Sequence, residues 1–107
     1  MAFKVLFIAH APDADKDKHR SSIQTDKYHL YTVVLKNQDE ALEISKEFVD
    51  DAGIDCILLC PGFTNLDVAE ISKIAGDKVA VAVARGDGPG SKITLGARKR
   101  EGYPSRK

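Results

Sequence analysis

Residues 54–64 read Ile54-Asp55-Cys56-Ile57-Leu58-Leu59-Cys60-Pro61-Gly62-Phe63-Thr64, a nearly continuous apolar run that ends in a turn. A short apolar run of this kind is typical of a central parallel strand that is covered on both faces. Pro61 and Gly62 end the run, and a helix capped by Thr64 or Asn65 follows. The stretch therefore predicts strand, turn and helix, which is the repeating unit of an α/β fold.

Three further apolar runs predict strands at residues 3–9, 28–36 and 79–84, so that four strands are expected in all. Asn37 and Gly53 bracket a predicted helix over residues 38–51, where apolar residues recur at helical spacing. From residue 28 onward the order is strand, helix, strand, helix, strand, which predicts parallel pairing. We expect a small, open, mainly parallel four-stranded α/β sheet, flavodoxin-like, with strand one beside strand three. The alternative is an open fragment that resembles half of a (β/α)-barrel.

Two segments depart from this alternation. Residues 10–26 are polar and predict at most a short helix over about 15–24, capped by Asp13 or Asp15. Residues 86–107 contain five glycines and two prolines, which predict an irregular tail in which residues 93–95 can add a short edge strand. We therefore divide the chain into a single α/β domain at residues 1–85 and a Gly-rich basic tail at residues 86–107.

The composition is that of an ordinary soluble domain: 107 residues, 43% apolar and 30% charged. Residues 85–107 hold seven basic and two acidic residues, which leaves nine basic and fourteen acidic residues in 1–84. Such a basic tail on an acidic body, together with a modest core, predicts a homodimer or other homo-oligomer. No stretch has the length of a membrane span, and the N-terminus does not resemble a signal peptide, so we expect a cytoplasmic protein.

The two cysteines are four residues apart on one predicted strand, which puts them roughly 13 Å apart at ~3.3 Å per residue. That distance is too long for a disulfide, so we expect reduced thiols. The cysteines and the three scattered histidines have no zinc-ligand spacing, and we therefore predict no metal site.

The predicted site lies where the strands end, because parallel strands bring their carboxyl ends to one edge of the sheet, and ligands bind there. Gly62, Phe63 and Thr64 stand at this edge before a helix N-terminus, and Arg85 follows the last strand. Helix N-terminal amides and a guanidinium both favour an anion. We predict that these four residues bind a small anionic metabolite that carries a carboxylate or a phosphate; no cofactor is indicated.

Two other functions are alternatives to the binding of a small anionic metabolite. Cys60 as nucleophile or acid/base, with His10 as its partner at the same edge, would make the protein a cysteine-dependent enzyme for small molecules. The third hypothesis is a structural or interaction module without a ligand. The run Arg98-Lys99-Arg100 with Tyr103 is too weak a signal to predict nucleic-acid binding.

Several stretches also resemble a known family: Ala11-Pro12-Asp13-Ala14-Asp15, His19-Arg20 followed by Ile23-Gln24-Thr25, the turn at 55–63 and the strand at 79–85. Through these stretches the chain resembles a prokaryotic family of short α/β proteins that is known only as a domain of unknown function. The resemblance covers about residues 1–85. The resemblance implies the α/β fold and draws attention to Cys60, Gly62, Phe63 and Arg85, without naming a reaction.

Overall fold

The structure is a computed structural model, and it describes residues 1–85 and 88–104. These residues form five strands and three helices: β1 (Phe3–His10), β2 (Arg20–Gln24), β3 (Tyr28–Leu35), α1 (Gln38–Asp51), β4 (Cys56–Leu59), α2 (Asn65–Ala75), β5 (Ala80–Val83) and α3 (Ser91–Arg100). Among them, no helix is both long enough and apolar enough to cross a membrane.

The five strands form one mixed sheet in the order β2-β3-β1-β4-β5. β1 pairs parallel with β3 and β4, and β4 pairs parallel with β5. The α/β class and the parallel pairing are therefore confirmed, including the predicted neighbourhood of the first strand and the strand after α1. The predicted count of four strands is wrong, and the antiparallel edge strand β2 departs from the flavodoxin-like arrangement.

β2 forms where we expected a short helix over residues 15–24. Its pairing with β3 is set by a tight turn, in which the Thr25 hydroxyl accepts hydrogen bonds from the backbone of Lys27 and Tyr28. The Thr25 backbone N–H donates to the Tyr28 carbonyl at 2.8 Å, which closes the hairpin. A side chain that satisfies the turn in this way favours a hairpin over continued helix.

The predicted irregular tail is also wrong in part, because Ser91–Arg100 forms α3 and the expected edge strand at residues 93–95 lies within this helix. The backbone N–H of Glu101 still bonds to the last turn, and Gly102, at a φ of 82°, ends it. A glycine in this left-handed conformation is a common helix terminator. Residues 86, 87 and 105–107 of the predicted tail lie outside the described residues.

The core lies on one side of the sheet, between the strands and the helices α1 and α2. It is formed by Leu6, Ile8, Val33, Leu35, Ala41, Ile44, Phe48, Ile54, Ile57, Leu59, Phe63, Ile71 and Ala75. Val33 and Ile57 are inaccessible to solvent. Val83 is 42% exposed, because it lies on the edge strand β5.

The opposite side of the sheet is not covered by a helix, and we call it the open face. The strand registers place on it Phe3, Val5, Phe7, Ala9, Ser21, Ile23, Tyr28, Leu30, Thr32, Val34, Cys56, Leu58, Ala80 and Ala82. The predicted coverage of the strand at 54–59 on both faces is therefore wrong, since Cys56 and Leu58 are only half-buried. The reason is topological, because the connection from β1 to β3, residues 11–27, holds a strand and no helix.

Candidate functional site

Two strand ends meet at the carboxyl edge of the sheet. β1 ends at His10, and the parallel register of Ile8 with Leu59 brings the turn after β4 to the same level. The His10 ring stacks on Phe63, with the centroids 4.0 Å apart and the planes inclined by 32°. Gly62 and Phe63 are both buried. The structure thus brings together three of the residues that the sequence placed at this edge.

Arg98 of α3 joins this group, and sequence reasoning did not include it in the site. A Cβ atom built on Gly62 would lie 2.9 Å from Arg98 Nη2, 3.2 Å from Nη1 and 3.4 Å from His10 Nδ1. The missing side chain at Gly62 therefore leaves the space that the guanidinium and the imidazole share. The guanidinium also lies over Tyr103, 5.0 Å from the ring centroid, and the Tyr103 N–H donates to the Arg98 carbonyl at 3.0 Å.

A cavity of about 210 Å³ opens beside this group. It is lined by His10, Ala11, Pro12, Lys36, Arg98, Tyr103 and Pro104. Lys36 directly follows β3, so this cavity collects residues from the ends of two neighbouring strands and from the segment around α3. Of the described residues, two cationic side chains and one histidine line it, and no acidic side chain does.

A second cavity, of about 380 Å³, lies on the other side of Arg98. It is lined by Pro61, Arg85, Gly88, Gly90, Ser91, Thr94, Leu95 and Arg98. The structure therefore brings Arg85 into a cavity with Pro61, which precedes Gly62, whereas His10 lines the first cavity. Arg98 lines both cavities, and among residues 1–85 and 88–104 the second lining also contains no acidic side chain.

Cys60 lies against the core and not in the lining of either cavity. Its backbone N–H donates to the Ile8 carbonyl at 3.0 Å, and its side chain packs, half-buried, against the core cluster. It lines neither of the two cavities, whereas His10 lines the first. Neither of these two cavities is therefore shared by Cys60 and His10, and the catalytic role of the pair stays a prediction. For the other cysteine, burial raises the pKa of the Cys56 thiol, and the charge of Asp55 adds to the shift.

Thr64 is engaged in the start of α2. Its hydroxyl accepts a hydrogen bond from the Asp67 backbone at 3.1 Å, while the Asp67 carboxylate accepts one from the Thr64 backbone at 2.9 Å. This reciprocal pair is a capping box, which satisfies two helix-end donors. Thr64 lines neither cavity, so its observed contacts are structural.

The three aspartates at 13, 15 and 17 line neither cavity. Asp15 accepts a hydrogen bond from the Asp17 backbone at 2.9 Å, and this bond lowers the pKa of Asp15. Asp17 pairs with Lys16 at 3.4 Å and with Arg20 at 3.8 Å. Within residues 1–85 and 88–104, no group of three or more His, Cys, Asp or Glu side chains is arranged to hold a metal ion.

Comparison with known proteins identifies the family. Residues 3–96 match the model of DUF6506, a family of unknown function, and the chain belongs to that family. The match continues past residue 85, into the segment that contains α3. No curated protein and no solved structure matches the chain.

Proposed function

We propose that this member of the DUF6506 family binds a small anionic metabolite at the carboxyl edge of its sheet. The observation that carries the proposal is the position of the Arg98 guanidinium, which lies against Gly62, on the side that the His10 ring also borders, and lines both cavities. A guanidinium presents a planar set of donors that matches a carboxylate or a phosphate in a bidentate contact.

The charges around Arg98 support the same ligand class. Lys36 lines the first cavity and Arg85 the second, and the described residues that line them include no acidic side chain. Positive charge concentrated in a concave site raises the local concentration of anions. The first cavity, at about 210 Å³, is smaller than the pockets of about 300 Å³ or more that hold drug-sized ligands, so it suits a ligand with few heavy atoms. The second, at about 380 Å³, lies at the low end of that range.

The contact residues differ in part from those predicted from the sequence. In this proposal Arg98, Lys36 and Arg85 supply the charge, Gly62 supplies the space, and Phe63 holds His10 by ring stacking. Catalysis by Cys60 has less support, because Cys60 lines neither cavity. We also propose that the protein is cytoplasmic and that it self-associates as a homodimer. The small core, which lies on one side of the sheet only, supports the self-association.

Titration calorimetry with inorganic phosphate and with succinate tests the binding proposal. We expect Arg98→Ala to weaken binding of the preferred anion by about 2 kcal/mol or more, roughly 30-fold, because a charge-assisted bidentate contact is lost. Arg100→Ala is the matched control: Arg100 is on the same helix, but its side chain is 71% exposed and pairs with Glu101. Equal affinities in the wild type and both variants would show that Arg98 does not bind the anion.

A further inference from the structure

The open face of the sheet is apolar and uncharged in a chain in which 30% of the residues are charged. Not one of its fourteen positions holds Asp, Glu, Lys or Arg. Large side chains on it are accessible to solvent: Ile23 is 65% exposed, Phe3 51% and Tyr28 40%. Contiguous apolar surface of this kind marks an interaction site more often than scattered exposed residues do.

The apolar positions are contiguous across all five strands. Val5 on the central strand stands between Leu30 and Cys56, and the register continues outward to Ile23 on one edge and Ala80 on the other. The side chains therefore form one surface, which runs from edge to edge of the sheet. The helices α1 and α2 contribute to the core on the opposite side and cannot cover it.

The size of the open face is that of a small interface. Its width is that of five strands spaced about 4.8 Å apart, and its length is that of strands of four to eight residues at ~3.3 Å per residue. The flat projection of the sheet is therefore roughly 400–500 Å². Side-chain relief makes the accessible area larger than the projection. Two such faces together give roughly 800–1,000 Å² in projection, which this relief brings to the threshold of about 1,000 Å² for a specific protein interface.

We propose that this protein forms a dimer in which the open faces of two copies pack against each other. The two sheets then lie face to face and are related by a twofold axis. Sheets that pack in this way lie about 10 Å apart and interdigitate apolar side chains from both inner faces. A twofold axis brings the same surface of each copy together, which suits a flat, uncharged, apolar surface. The exposed sides of α1 carry charges such as Glu43, Lys46 and Asp50, and burying these against the open face would cost desolvation energy.

This inference rests on the proposed self-association and names the surface that forms the dimer. It does not depend on anion binding at the carboxyl edge of the sheet. Analytical ultracentrifugation between about 5 and 200 µM, a range that detects micromolar dimers, tests it. The face variant is Ile23→Glu/Ala82→Glu, at two positions that are exposed in the protomer. The matched control is Leu66→Glu/Ala69→Glu, at two exposed positions on α2.

We expect the wild type and the control to be dimers and the face variant to dissociate at least about 30-fold more readily, since buried unpaired carboxylates are costly. A wild type that stays monomeric at the highest concentration would overturn the self-association and this surface together. A face variant that dimerises as tightly as the wild type would overturn the surface alone.

A second measurement uses the wild-type protein and does not depend on the folding of a variant. Cys56 lies on the open face, so its alkylation by N-ethylmaleimide, mapped by peptide mass spectrometry, should slow as the dimer forms. We expect the rate to fall at least tenfold across the dimerisation range. A rate that does not change while the protein dimerises would place Cys56 outside the interface and overturn the proposal.

Discussion

Gly62 acts through the space that it leaves. The sequence suggested that a glycine here lets backbone amides approach a ligand, whereas the structure fills the space with the Arg98 guanidinium. Gly62 is not among the glycines with positive φ, which are Gly53, Gly76 and Gly102. An alanine at this position therefore meets no backbone strain, only the mobile end of an arginine side chain.

We accordingly expect Gly62→Ala to change the melting temperature by little and to weaken phosphate binding several-fold, because the added methyl group displaces the guanidinium from His10. Thermal unfolding and calorimetry on the same samples measure the two effects. Gly96→Ala is the control, since no atom lies within 4 Å of that Cβ position and the substitution favours helix α3 by about 0.5–1 kcal/mol. Unchanged affinity in Gly62→Ala would contradict this assignment.

The role of Arg98 could not be predicted from the sequence because three basic residues stand in a row. Lys99 and Arg100 are exposed, while Arg98 is half-buried against Gly62 and Tyr103. Only the helical geometry of α3 selects one of the three, and the glycines around it had indicated an irregular tail. His10, Gly62, Phe63 and Arg85 were predictable, because parallel strands bring their following turns to one edge.

At the scale of elements, strong periodic patterns were predicted well and polar segments were not. Helix α1 begins and ends as its Asn37 cap and apolar stripe indicated, and α2 begins directly after its predicted cap, Thr64. β2 has one apolar residue in five, so it lacks the alternation that identifies a strand, and its pairing depends on the turn at Thr25. α3 contains no buried residue, so it has no apolar stripe that a sequence could reveal.

The start of α2 allows capping to be separated from ligand binding. Thr64→Ala removes the hydroxyl that accepts from Asp67 and should lower the free energy of unfolding by about 1 kcal/mol, as for other cap residues. Phosphate affinity should not change, because Thr64 lines neither cavity. Urea denaturation and calorimetry measure the two quantities, with Ser72→Ala on the exposed side of α2 as control. Lost binding at unchanged stability would make Thr64 a ligand residue after all.

For the whole molecule, the distribution of burial predicts an uneven distribution of local stability. β1 is central in the sheet, and its Leu6 and Ile8 are inaccessible to solvent. The other extreme is α3, which has no buried residue and approaches the sheet edge through Arg98 and Tyr103. Segments with few buried apolar contacts open locally at low free energy, whereas central strands open only when the whole domain unfolds.

Hydrogen exchange should therefore detect fast exchange in α3 and slow exchange in β1. Residues of α3 line both cavities, so its opening should release the anion, and saturating phosphate should slow its exchange by the factor 1 + [L]/Kd, about 100-fold at 100 Kd. β2 is the internal control, because this edge strand contributes to neither cavity and its opening leaves the site intact. In Arg98→Ala the protection of α3 by phosphate should disappear. Protection of α3 equal to that of β1 without phosphate would contradict the uneven local stability. Unchanged exchange of α3 when phosphate is added would show that α3 does not close over a bound anion.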